Sequence, residues 1–344
     1  MVIGPSGAGK TSTLAALDAA CYTSPVDDGR RLSLRHYVTG ERRSQLSRFI
    51  VDWIADGRHP PATESYRDFM LEVATHLQGR GFRPSQLVVT RFHCTDSPGG
   101  ALFPMRADLA ANRVDAASRS ALVAQAQAAS SIIFVIDSTR PATDVIELNL
   151  QPTLDDVARS SPGEELPQPF GVRLLERLRL LRRPRSDRRT RLAASRFLIL
   201  LTKVDALAHS YSRQLEKQGV KASPLEVANA MDPVALAREL IGERNLRRIW
   251  GALGRRARLA VGLSSVTGFV RDAECRASLD QTFLEWGANR APQERLLAWS
   301  SFGVYEALRF ITTGECGGPV KQVYSEADLT LERALPLDSF PFTR

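Results

Sequence analysis

The chain has 344 residues, 43% apolar and 24% charged, enough to bury one large core or two modest ones. Its longest apolar runs, Ile132–Ile136 and Phe197–Leu201, fall far short of the roughly 20 residues of a bilayer-spanning helix, so no membrane span is expected. The formal charge of +8 has one source: Arg173 to Arg196 holds ten arginines against Glu176 and Asp187, which leaves the rest near neutral and argues against a distributed nucleic-acid surface.

Cys21, Cys94, Cys275 and Cys316 show no C-x-x-C pair or His-flanked metal spacing and read as reduced thiols. Three residues before the first glycine-rich loop leave no room for a signal peptide, so a cytoplasmic protein is expected. Only five of the 46 basic residues are lysines, a bias that suggests a high-GC bacterial genome.

In chain order, Val2 and Ile3 lead into Gly4-Pro5-Ser6-Gly7-Ala8-Gly9-Lys10-Thr11, after which Leu14, Leu17 and Cys21 recur at helical spacing: strand, loop, helix. The strand is short, as if the natural start lay upstream. From Glu41 to Gly57, Leu46, Phe49, Ile50, Trp53 and Ile54 share one face of an amphipathic helix. Phe69, Leu71 and Val73 alternate with Met70 and Glu72, and with Gln86 to Cys94 they predict an antiparallel hairpin.

Ala116 to Ala129 predicts a helix that feeds the strand Ile132–Ile136, and Asp144 to Arg159 a second helix. Pro162, Gly163 and Pro167 break the pattern before the arginine-rich segment and the strand Phe197–Leu201. Asp232 to Arg256 predicts one helix opened by Asp232-Pro233, Leu259 to Leu263 a strand, and Gly303 to Ile311 a helix. From Pro319 onward no period is evident. Strands alternating with helices imply an α/β fold: a doubly wound, mostly parallel sheet with one antiparallel hairpin strand, binding its ligand at the carboxyl strand ends.

The first loop matches G-x-x-x-x-G-K-[ST] in the required strand-to-helix setting. Glycines let the N–H groups around Gly4, Ser6, Gly7, Ala8, Gly9 and Ser12 converge on phosphate oxygens at a helix N-terminus. Lys10 would meet the β- and γ-phosphates and Thr11 would ligate Mg²⁺. Such a loop serves ATPases, kinases and GTPases alike. Asp96-Ser97-Pro98-Gly99 then supplies a carboxylate for a magnesium-bound water and a glycine N–H for the γ-phosphate.

Thr202-Lys203-Val204-Asp205 follows a strand and puts Asp205 where it can accept both N–H groups of guanine, a donor pair that adenine lacks. Ser264-Ser265-Val266-Thr267-Gly268 also follows a strand, where a backbone N–H could bond the guanine carbonyl. Four motifs occur in order, and Lys10 and Lys203 are two of the five lysines.

With these motifs the chain resembles the translation-factor and Ras-like class of GTPases over about residues 1–315, with a helical insertion at about 25–60, an arginine-rich insertion at about 140–195 and a C-terminal extension from 316. Within that class the helix before Gly57, the run Gly57–Thr63 and the DSPG turn look similar to bacterial double-GTPase proteins, which are associated with conflict and defence gene neighbourhoods. The resemblance implies GTP/GDP and Mg²⁺ as ligands, Lys10, Thr63, Asp96 and Gly99 as the phosphate-side residues, and Thr11, Thr63 and Asp96 around the metal. It implies Thr202, Lys203, Asp205, Ser264, Ser265 and Val266 on the base side.

Thr202 replaces the usual Asn of N-K-x-D, and Ser265 the usual Ala. Gly100 stands where Ras-like enzymes carry the water-orienting glutamine, so slow hydrolysis is expected, with a protein partner or second GTPase as activator. Specific nucleic-acid readout has no motif behind it. A nucleotide kinase, an ATPase or a non-hydrolysing scaffold remain the alternatives.

Overall fold

The computed structural model describes residues 1–4, 8–23, 32–37, 52–56, 67–77, 86–96, 129–139, 196–253, 257–271, 277–283, 287 and 289–324. Its main sheet contains β1 (Val2–Ile3), β5 (Ser131–Asp137), β6 (Arg196–Thr202), β7 (Arg258–Leu263) and β10 (Val320–Gln322), in that spatial order. The first four run parallel, with Val2 beside Ile133, Ile133 beside Leu198 and Leu198 beside Ala260.

β5 is buried along its whole length and β6 nearly so, as apolar runs must be when helices cover both faces of a parallel sheet. Successive side chains therefore serve opposite cores. Ile132, Phe134, Ile136, Phe197, Ile199 and Leu201 face one side, packed by α2 (Val204–Lys217), α3 (Pro224–Ala230), α4 (Pro233–Ile241) and α5 (Glu243–Leu253). Ile133, Val135, Leu198 and Leu200 face the other, packed by α1 (Lys10–Thr23) and α7 (Val304–Thr313).

The sequence expectations need four corrections. First, the hairpin β3 (Arg67–Leu77) and β4 (Gln86–Asp96) is antiparallel as expected, but with β2 (Leu32–Tyr37) it forms a separate three-stranded sheet. Second, β2 puts a strand inside the range expected to be helical at about 25–60, of which residues 52–56 are helical. Third, the antiparallel strand of the main sheet is β10, from the segment without evident period, and Val320 pairs with Gly262. Fourth, the helix expected from Asp232 to Arg256 is two helices.

The Asp232 carboxylate caps α4 by accepting from the Val234 N–H at 2.9 Å, and Gly242 ends that helix at φ 88, a value that only glycine adopts without strain. The helices expected at 116–129 and 144–159 and the arginine-rich insertion lie outside the described residues. Among the described residues no helix is long and apolar enough to cross a membrane.

β8 (Phe269–Arg271) and β9 (Ala277–Thr282) form a small antiparallel pair after β7. α6 (Pro292–Ala298) follows, and the segment to Phe302 then returns to the turn that leaves β7.

Candidate functional site

The carboxyl ends of β1, β6 and β7 bring the loop before α1 together with the two motifs expected on the base side, Thr202–Asp205 and Ser264–Gly268. Gly4 leaves β1 so close to β5 that a Cβ there would lie 2.4 Å from the Val135 carbonyl oxygen. Gly9 turns at φ 84 into α1, whose first residue is Lys10. Lys10 is buried, and its Nζ donates to the Gly4 carbonyl at 2.9 Å, spanning the loop from end to end. Thr11 and Ser12 sit partly exposed in the first turn of α1. Ser6 and Gly7 lie outside the described residues, as do Thr63, Gly99 and Gly100. Asp96 ends β4, a strand of the three-stranded sheet.

Thr202, at the end of β6, is buried against this loop: its hydroxyl lies 2.8 Å from the Ala8 carbonyl and 3.1 Å from that of Ile136. One O–H serves either acceptor, so the residue ties two strand ends to the loop 194 positions away. Asn is not needed for that tie.

Lys203 adopts φ 61 and ψ 31, the only non-glycine residue with positive φ among the described residues, a conformation that costs of order 1 kcal/mol or more. Its Nζ reaches Asp137 Oδ2 at 2.6 Å, and Asp137 Oδ1 accepts from the Thr139 N–H and hydroxyl at 3.0 and 2.6 Å. Burial works to raise the Asp137 pKa, but the hydrogen bonds from Lys203 and Thr139 outweigh it and hold the carboxyl below its usual 3.8.

A folded-state pKa below the unfolded value contributes stability that is present above the unfolded pKa and lost as pH falls through the folded one. Asp137→Asn is therefore expected to melt below the parent at pH 7, with the gap closing below about pH 4. Thermal midpoints between pH 7 and 2 check this; a gap independent of pH would refute it.

Asp205, in the first turn of α2, is 5% exposed, and its Oδ2 accepts the Thr267 hydroxyl at 2.5 Å. Its Oδ1 accepts nothing from the described residues. Thr267 Oγ1 lies 3.2 Å from Ser265 Oγ, which accepts the Gly268 N–H at 2.8 Å. A Cβ at Gly268 would fall 1.8 Å from the Ser300 oxygen, so the turn admits glycine alone there.

The three residues expected to offer a backbone N–H to a base differ in this respect. Ser264 N–H donates to Leu201 and Ser265 N–H to Phe302, at 2.7 and 2.9 Å. Val266 and Thr267 have N–H groups with no partner among the described residues. Sequence reasoning passed over Thr267 as a side chain, Asp137 and Trp299, whose indole N–H donates to the Val266 carbonyl at 2.8 Å. An acidic residue directly after the apolar run of β5 was a usable signal for Asp137.

No protein-family model matches the chain, and no curated protein does so significantly. Among solved structures it is similar to the S. cerevisiae Ski7 GTPase-like domain bound to GTP, at 12% identity and TM-score 0.27 over 86% of this chain and 48% of that one. The same domain bound to GDP and inorganic phosphate gives 11% identity and TM-score 0.25, with 84% and 49% covered. The chain thus spans about half the length of the structures it matches.

Proposed function

We propose that this α/β protein binds GTP and GDP with Mg²⁺ and acts as a slowly hydrolysing molecular switch. The observation behind the reading is the joining of three motifs at one edge of the sheet. Thr202 bonds Ala8, the backbone of Ser264 bonds Leu201 and Val204, and Thr267 bonds Asp205. A phosphate loop alone would suit any nucleoside triphosphate, whereas an acceptor carboxylate beside two open backbone N–H donors matches the edge of guanine, with its N–H pair and carbonyl. Adenine would place an amino group against the donors.

Magnesium would be held by Thr11, by phosphate oxygens and, through water, by Asp96, with Thr63 added in the triphosphate state. Thr11 fits: it is partly exposed and one residue beyond Lys10. Such a site needs no protein carboxylate cage, and among the described residues no group of three or more His, Cys, Asp or Glu gathers. The ion's part is to neutralise charge on the β- and γ-phosphates. Lys10 does the same from the loop, and Asp205 and Lys203 orient the base.

Gly100 offers no side chain to orient attacking water, so the nucleophile's position limits the rate. Intrinsic turnover is expected at or below the roughly 10⁻⁴ to 10⁻² per second of unassisted switch GTPases, rising when a partner or second GTPase supplies an arginine or water-positioning group. Single-turnover hydrolysis of GTP by the purified chain tests this. A rate above about one per second would overturn the slow-switch reading, because that speed belongs to assisted systems. The likeness to double-GTPase proteins extends the proposal to a conflict or defence role, with a neighbouring GTPase as the activator to add to the assay.

A further inference from the structure

The turn after β7 is held by backbone and indole contacts that leave two peptide planes with one orientation each. The Ser265 carbonyl accepts the Phe302 N–H and the Ser265 N–H donates to the Phe302 carbonyl, both at 2.9 Å. Trp299 Nε1 donates to the Val266 carbonyl at 2.8 Å. No peptide among the described residues is cis, and in a trans peptide the C=O and the following N–H point in opposite directions. Phe302 therefore turns the Val266 N–H away from its own strand, and Trp299 turns the Thr267 N–H away from the indole.

Trp299 is itself well placed to act as an anchor. It follows α6 in extended conformation at φ −70 and ψ 131, and its ring packs against the core shared by α1 and α7. Phe302 is fixed by an edge-to-face contact with Phe269 at 5.5 Å. The Thr267 side chain meanwhile bonds Asp205, so the two open N–H groups belong to the same few residues as the acceptor carboxylate.

We infer that Trp299 is a positioning residue for base recognition: by holding the Val266 carbonyl it aims the Thr267 N–H, beside that of Val266, at the 6-oxo oxygen of a guanine base. The inference rests on the guanine-nucleotide reading above and adds to it a residue 33 positions from the carbonyl it holds. Without the indole N–H the 266–267 peptide plane loses its tether and turns in solution. A neutral hydrogen bond to the base is worth about 0.5–1.5 kcal/mol, or roughly two- to tenfold in affinity.

The test compares GDP with the diphosphate of 2-aminopurine riboside, which keeps the amino group and lacks both the 6-oxo oxygen and the N1–H; the missing N1–H weakens it for parent and variant alike, so the variant-to-parent ratio is what is compared for each ligand. Trp299→Phe removes the indole donor and keeps an aromatic ring of smaller volume, and any loss from the reduced packing falls on both ligands alike. Its dissociation constant for GDP is expected to rise roughly two- to tenfold more than that for the 2-aminopurine nucleotide. Equal losses for both ligands, or no loss for GDP, would overturn the assignment. Amide hydrogen exchange on the unmodified protein gives a second reading that needs no variant. GDP should slow exchange at Val266 and Thr267 and the 2-aminopurine nucleotide should not; equal protection by both would overturn it as well. If the unmodified protein binds GDP no better than ADP, the guanine reading itself fails, and that result is separate from either outcome at Trp299.

Discussion

Replacing Lys10 by alanine is expected to weaken GTP by about 10² to 10⁴ and GDP, which lacks the γ-phosphate, by about 10 to 10², the largest loss for any single side chain in the loop before α1. Hydrogen bonds to charged groups contribute about 1.5–3 kcal/mol each, and an ammonium between two phosphates makes two of them. The fold should survive. Lys10 Nζ bonds the Gly4 carbonyl at the loop's edge, while the cores on both sheet faces are built by other residues. Isothermal calorimetry with GDP and Mg²⁺, beside a thermal melt without nucleotide, separates the two effects. Parent-like GDP affinity in a folded Lys10→Ala protein would mean that the loop is not a phosphate site.

Thr11→Ala should give a smaller loss that depends on magnesium, because it removes a hydroxyl ligand and no charge. In both cases the melt of the nucleotide-free protein is the control for stability.

The central strands were legible because burial on both faces requires runs such as Ile132–Ile136 and Phe197–Leu201 that few other structures use. The turn from β1 into α1 was legible because Gly4 and Gly9 have backbone reasons: Gly4 crowds Val135 and Gly9 turns at positive φ. Pairing decides the rest. Val320–Gln322 has no pattern of its own and becomes a strand because Leu259–Leu263 offers it an edge. Leu32–Tyr37 is a strand for the same reason, beside the hairpin.

The site residues that sequence reasoning passed over share a cause. Trp299 meets a backbone carbonyl 33 residues away, and Asp137 meets a lysine 66 residues away, so neither has a local spacing to recognise. Thr267 was in view within the motif, but its role depends on a side chain reaching Asp205 across 62 positions. Ser265 shows the converse: a residue well placed in the motif has its N–H taken by Phe302, a bond that only the return of the chain after α6 creates.

Asp205→Asn is expected to move the preference from guanine to xanthine. The buried carboxylate presents Oδ1 unpaired while Oδ2 takes the Thr267 hydroxyl, so the group is held in place before any base arrives. A guanine base at this acceptor would donate its N1–H and its 2-amino group to it. Asparagine replaces one oxygen with an N–H donor, which then faces the 2-amino donor, so one bond is lost and the remaining N1–H bond is no longer charge-assisted, together about 3–4 kcal/mol, or roughly 10² to 10³ in affinity. Xanthine has an oxygen at position 2, so the new amide can donate to it and still accept from N1–H, and xanthosine diphosphate should bind the variant more tightly than GDP does. Thr267 does not prevent the exchange, because a hydroxyl both donates and accepts and can turn to meet either end of the amide. Competition of GDP, XDP and ADP for the parent and the variant decides the matter. Equal affinity of the parent for ADP and GDP, or an unchanged GDP-to-XDP ratio in Asp205→Asn, would remove Asp205 from base recognition.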